Sequence, residues 1–249
     1  MRAPAARRHW AIVLVAGVGL ALAAAPGTAQ EAACPVPEGF AAFETPLPKT
    51  AKALATGAEV VIVTLGGASS LGSAAGGAAF SWPARLDAAL EARFPAARVE
   101  VVNLGLPRQT ARAAADRLAR EVLPLKPTLV IWETGTMEAV RGTGVDDFRD
   151  TVQGGIDDLQ AAGIEVVLVN PQFSRDADVV IPFAPYLGAL REIADANELP
   201  VFHRYGLMRY WAESGVLDLR AKDAEKRRKL AARLYDCLGR ALADFLVRP

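Results

Sequence analysis

The sequence predicts an α/β fold: a three-layer α/β/α sandwich around a parallel, flavodoxin-like five-stranded sheet. Two observations carry that prediction. Short runs rich in Val and Ile, such as Val60-Val61-Ile62-Val63 and Val166-Val167-Leu168-Val169, recur along the chain and close on Gly, Asn or Pro. Nearly continuous apolar runs of this length suit strands covered on both faces. Between them lie stretches with apolar residues at helical spacing, and strands alternating with helices imply parallel pairing.

Taken in order, residues 30–48 carry Pro35, Pro37, Pro46 and Pro48 and read as an extended lead-in, since each proline removes a backbone donor. A short helix over 49–56 precedes the first strand, Glu59 to Leu65. Gly66, Gly67, Ala68, Ser69, Ser70 and Gly72 follow, small residues that permit a sharp turn and close approach of a ligand to the backbone. Helices are predicted over 83–94, with Pro83 in its first turn, and over 110–123 as one long amphipathic element. Further strands are predicted over 98–104, 128–133, 164–170 and 199–202. Helices over 145–162, 184–197 and 223–247 complete the chain, with Gly163 as a stop signal. In open α/β sheets the chemistry lies outside the carboxyl ends of the strands, which places the candidate site at the Gly66–Gly72 loop.

The first 29 residues read as a cleaved export signal. Arg2, Arg7 and Arg8 give a positive start, Ala11 to Ala25 is an apolar run of 15, and Gly27-Thr28-Ala29 offers small residues for a peptidase. A membrane span needs about 20 apolar residues, so no span is expected after cleavage. The organisation expected is thus a signal peptide over 1–29, a lead-in over 30–57 and one domain over 58–249, in a periplasmic or secreted protein. Without the leader, 25 Lys and Arg face 28 Asp and Glu, a formal net charge of −3. That balance argues against nucleic acid as a partner. Cys34 and Cys237 both fall in the exported part and read as one disulfide. The competing role for Cys34, a lipid anchor, fits poorly with Glu31 so close before it.

The chain resembles the SGNH (GDSL-type) hydrolase family of esterases. VIVTLGGASSLG stands at the family's strand and Gly-Asp-Ser turn, VVNLG at its Asn-x-Gly block, and LVIWETGTMEAVRG at its Gly-x-Asn-Asp block. The resemblance implies an acyl-hydrolase cleft, with Gly105 as oxyanion-hole glycine and Gly135 opening the third block. Carried over in register, Gly67 falls at the family's Asp and Ala68 at its nucleophilic Ser. Met137 falls at the oxyanion Asn, and Glu138 at the Asp beside it. A thioether donates no hydrogen bond, and loss of one such donor typically costs about 100- to 1000-fold in rate. At the last block Asp218 keeps the family's Asp, but Ala221 occupies the catalytic His position. His203 lies too early in the chain to replace it and reads as a partly buried or surface histidine, and His9 is in the leader.

Ser69 and Ser70 are the remaining candidate nucleophiles, with loop hydrogen bonding or helix capping as their structural role. No Gly-Lys-Ser/Thr ending and no G-x-G-x-x-G follows the first strand, so no nucleotide cofactor is expected. Glu133, Glu138 and Glu213 have no His or Cys cluster beside them, and no metal site is indicated. The run Arg220 to Lys229 carries six basic and two acidic residues, which reads as a solvated helix face or as a contact for an anionic partner. The sequence therefore points to an exported SGNH-type protein with impaired esterase machinery, binding an acylated or envelope-associated ligand. The alternative is an active ester hydrolase that uses Ser69 or Ser70.

Overall fold

The computed structural model describes residues 34–41, 46–221 and 223–247. The proposed leader over 1–29 lies outside the described residues. Five parallel strands, β1 (Glu59–Leu65), β2 (Arg98–Asn103), β3 (Leu129–Glu133), β4 (Glu165–Val169) and β5 (Val201–Phe202), form one sheet in the order β2-β1-β3-β4-β5. The helices are α1 (Glu38–Ala41), α2 (Pro48–Thr56), α3 (Trp82–Arg93), α4 (Ala111–Ala115), α5 (Thr136–Arg141), α6 (Val145–Ala161), α7 (Arg175–Asp178), α8 (Ala184–Ala196), α9 (Arg204–Glu213) and α10 (Ala224–Leu246). Sheet order reverses at β1, between β2 and β3, and such a switch point opens a crevice at the strands' carboxyl ends.

The strand sequences explain why helices cover both faces. Successive side chains of a strand point to opposite sides. Ile62, Leu129, Ile131, Val167 and Val169 enter one core with Leu86, Leu90, Leu238 and Leu242 of α3 and α10. Val63, Leu65, Val130, Trp132 and Leu168 enter the other with Val152 and Ile156 of α6 and Leu190 of α8. Both rows of β1, β3 and β4 are mostly apolar because both are buried, with Thr64 and Glu133 as buried polar exceptions. Register is in step across the centre: Val63 pairs with Val102 and Val130, and Leu65 with Trp132.

Two predicted segments differ from what is found. The stretch over 110–123 is not one long helix. It is the five-residue α4, a π turn over Leu118–Val122 and a 3-10 turn over Leu123–Leu125. Pro124 has no N–H for the preceding turn, and the wider turn keeps both Leu118 and Val122 buried. The lead-in also contains a helical turn, α1, rather than running extended throughout. Helix α2 is tied to the sheet by Glu165 of β4, which accepts from the N–H groups of Lys49 (2.7 Å) and Thr50 (2.9 Å). A carboxylate there meets the free donors and positive end of the helix dipole.

Cys34 and Cys237 form a disulfide, with Cα atoms 5.7 Å apart and a sequence separation of 203. No helix among the described residues is long and apolar enough to cross a membrane. Helix α10 crosses α3 at Gly239, where a Cβ would stand 2.5 Å from Arg85 Cβ and 2.7 Å from Leu86 N. Backbone lines that contact, so Gly239→Ala should separate the two helices. Overpacking of this kind costs about 1–3 kcal/mol, and the thermal midpoint should fall by several degrees in a calorimetric scan.

Candidate functional site

The loop after β1 turns tightly: Ser70 N–H donates to Gly67 O (3.1 Å), Leu71 N–H to Ala68 O (3.3 Å) and Gly72 N–H to Ser69 O (3.2 Å). This winding exposes Ala68 and turns the next two side chains inward. Ser69 and Ser70 are both buried, and both hydroxyls reach Glu133, the last residue of β3. Ser69 Oγ lies 2.8 Å from Oε2 and 3.0 Å from Oε1, and Ser70 Oγ lies 3.1 Å from Oε2. Glu133 shares the strand face of Leu129 and Ile131, which directs it toward α3 and α9 rather than to solvent.

Two more donors complete the cluster. Trp82 Nε1, at the start of α3, donates to Glu133 Oε2 at 3.2 Å. Arg204, the first residue of α9, donates through Nη2 to Oε1 at 3.1 Å, and its Nη1 lies 3.0 Å from Oε2 and 3.1 Å from Ser69 Oγ. The two charged side chains are only 2% and 6% exposed, so this is a buried ion pair. Burial of such a pair is tolerable because hydrogen bonds from several partners share the carboxylate charge. Tyr235 of α10 lies within the field of the pair, and burial raises its phenol pKa above the ordinary value.

The glycines follow from this packing. A Cβ on Gly66 would stand 2.2 Å from Ser70 Oγ and 2.9 Å from Glu133 Oε2. A Cβ on Gly105 would stand 2.8 Å from Ser70 Cβ. Gly105 N–H, the expected oxyanion donor, is given to Asn103 Oδ1 at 3.1 Å. Asn103 in turn donates through Nδ2 to Ser70 O at 2.5 Å, so the β2 terminus braces the loop.

Of the residues expected in the cleft, Gly67, Ala68, Ser69 and Met137 line one cavity of about 150 Å³, together with Glu133. Gly66 and Gly105 pack against Ser70, and Gly135 stands against Pro171 and Leu190. Glu138 and Asp218 are corrections. Glu138 is buried and accepts from Ala111 N–H (2.5 Å) and Gly135 N–H (3.1 Å), joining the starts of α4 and α5 instead of facing the cavity. Asp218 is exposed in a separate hollow with Ala212, Gly215 and Arg220, since no imidazole follows it to be held at the site. Its carboxylate accepts from Arg220 N–H at 3.2 Å. In the basic run, Lys229 pairs with Glu225, while Lys226, Arg227 and Arg228 are exposed on the first turns of α10.

Sequence reasoning missed Arg204 and Gln109. Arg204 is 71 residues from Glu133 and 135 from Ser69, in no motif. Gln109 Oε1 accepts from Gly66 N–H at 3.3 Å across the same loop. Glu133 did carry a signal, as a carboxylate at a buried, period-two position of an apolar strand.

His203 precedes α9, and the charges acting on it are Arg191 and Asp195 of α8. Burial first, and Arg191 second, hold its pKa below the ordinary value, with Asp195 opposing them. Between that lowered value and about 6.5, the unfolded chain binds more protons at this residue than the folded one. Stability from His203 is therefore complete above about pH 6.5 and is lost as pH falls through that window. His203→Gln should flatten this part of a stability–pH curve measured by urea unfolding. At the ion pair, Arg204→Met should cost about 3–5 kcal/mol in the same assay, because it leaves the carboxylate buried without its cation. Adding Glu133→Leu should recover part of that loss.

Three solved structures illustrate the fold. A two-domain esterase active on acetylated mannans, co-crystallised with mannopentaose, matches with a TM-score of 0.62 at 19% identity over 76% of this chain. This chain spans 52% of that esterase. The lipase/acylhydrolase from Enterococcus faecalis matches with a TM-score of 0.53 at 23% identity, over 73% of this chain and 96% of its own. An acetyl xylan esterase, AlAXEase, matches with a TM-score of 0.53 at 18% identity, over 69% of this chain and 96% of its own. At these identities the likeness concerns the fold. No curated protein matches the chain in sequence. The family match covers residues 33–249, through every strand and helix described above, and the chain belongs to the Non-GDSL lipase-like family.

Proposed function

We propose that this protein is an exported, non-hydrolytic binding or accessory member of its family, recognising an acylated polysaccharide or another acylated envelope component. The observation that carries the reading is the fate of the hydroxyls. Ala68 presents a methyl group at the register of the family's nucleophile, and the neighbouring Ser69 hydroxyl is held by the Glu133–Arg204 pair. A serine attacks an acyl carbonyl when a base of suitable pKa takes its proton. The carboxylate beside Ser69, that of Glu133, is already engaged by five side-chain donors from four residues, Arg204 among them. Among the described residues His203 is the sole histidine, and the charges acting on it are those of α8.

Further support comes from the oxyanion side. Gly105 N–H is engaged with Asn103, and Met137 stands at the cavity where an amide donor would be needed. Export is supported by the disulfide, which belongs to oxidising compartments, and by the leader-like first 29 residues. The ligand class is suggested by relatives of the same fold whose names record action on acetylated mannans and acetyl xylan.

The test is hydrolysis of p-nitrophenyl acetate by the purified protein, with Ser69→Ala and Ser70→Ala run beside it. Turnover should stay at the uncatalysed rate in all three. Turnover that one substitution abolishes would overturn the reading and identify the nucleophile.

A further inference from the structure

The cavity beside Ala68 contains polar atoms that the network above does not use. Gln109, Thr134 and Thr136 line this cavity, and Gln109 Nε2, Thr134 Oγ1 and Thr136 Oγ1 are each buried with no hydrogen-bond partner among the described residues. Thr134 as a whole is 5% exposed. Most buried polar groups in folded proteins are paired, so three unpaired atoms around one small cavity is an unusual concentration.

Their chemistry differs in a useful way. Gln109 is oriented by Gly66, whose N–H gives its proton to Oε1, and only the oxygen of an amide can accept. The cavity is therefore left with Nε2, an obligate donor. The two threonine hydroxyls can each donate or accept. Sheet order sets them apart: Gln109 follows β2, Thr134 and Thr136 follow β3, and β1 with its loop runs between. Ala68 and Met137 supply apolar surface to the same cavity. Glu133, paired with Arg204, and the guanidinium-bearing Arg108 also line it, so the lining has no net excess of either charge.

We propose that Gln109, Thr134 and Thr136 form a binding site for an acetamido group, a secondary amide such as an N-acetylated amino sugar carries. The carbonyl oxygen accepts from Gln109 Nε2, the N–H donates to a threonine hydroxyl, and the methyl group packs on Ala68 and Met137. An O-acetyl ester satisfies the glutamine but offers the threonines no proton. This assignment rests on the binding reading above, since it describes recognition of an unreacted acyl group.

The test uses the purified 15N-labelled protein and three small probes: N-methylacetamide, methyl acetate and sodium acetate. Spectra follow the Gln109 side-chain amide, identified by its loss in Gln109→Met, and the backbone amides of Thr134 and Thr136. N-methylacetamide should shift these signals saturably, with methyl acetate binding about three- to tenfold more weakly, the worth of one neutral hydrogen bond. Gln109→Met and Thr134→Val should each weaken N-methylacetamide by a similar factor, while signals remote from the cavity keep their positions as the check on folding. Should Thr134→Val fail that check, Gln109→Met decides alone. Equal affinity for amide and ester, tightest binding of acetate, no saturable shift, or variants that bind like the parent would each overturn the assignment. Release of methanol from methyl acetate, abolished by Ser69→Ala, would instead overturn the binding reading and this assignment with it. Loss of amide selectivity without methanol release overturns the amide assignment alone.

Discussion

The buried pair between Glu133 and Arg204 is the constraint around which this end of the molecule is arranged. A carboxylate placed on the inner row of a central strand has no water to solvate it, so protein donors must do so. They come from three elements, the β1 loop through Ser69 and Ser70, α3 through Trp82, and α9 through Arg204, all meeting at the tip of β3. Each of these elements is thereby fixed relative to the switch point of the sheet. Gly66 has no side chain because the carboxylate and the Ser70 hydroxyl already fill that space. The same arrangement that satisfies the charge withdraws the two serines from the cavity as free hydroxyls. One set of hydrogen bonds thus both satisfies the charge and holds the strand tips together.

The polar remainder of the cavity then stands out by contrast. Around Glu133 every lone pair is approached by donors, whereas Gln109, Thr134 and Thr136 keep capacity in reserve. Networks inside a low-dielectric interior are costly when left partly satisfied. In the Glu133 network, among the described residues, only Arg204 Nε is buried without a partner.

Much of the fold was legible in the sequence because burial on both faces leaves little freedom in strand composition. Val60 to Val63 and Val166 to Val169 could be nothing but apolar, and the Gly, Asn and Pro that follow them mark the ends. The segment over 110–123 was less legible, since apolar spacing there is compatible with an α-helix and only Pro124 hints at the widened turn. At the site, Gly66, Gly105 and Met137 could be found because a family register fixes them. Arg204 could not be found that way. It reaches Glu133 through tertiary packing across 71 residues, and an arginine at the start of a helix has no local pattern that marks it as buried. Glu138 misled for the opposite reason: its position in a catalytic block coincides with the third residue of α5, where a carboxylate serves backbone N–H groups.

The bond between Cys34 and Cys237 has a topological consequence. It closes residues 34 to 237 into a covalent ring that contains the described strands β1 to β5 and helices α1 to α9, with most of α10 within it. A single cut by a protease anywhere on that ring opens it without dividing it, so both sides of the break stay attached and the strands retain a continuous covalent path to one another. Two cuts, or one cut followed by reduction, are needed before any part of the sheet can leave. A first surface nick inside the ring is therefore a survivable event for the sheet.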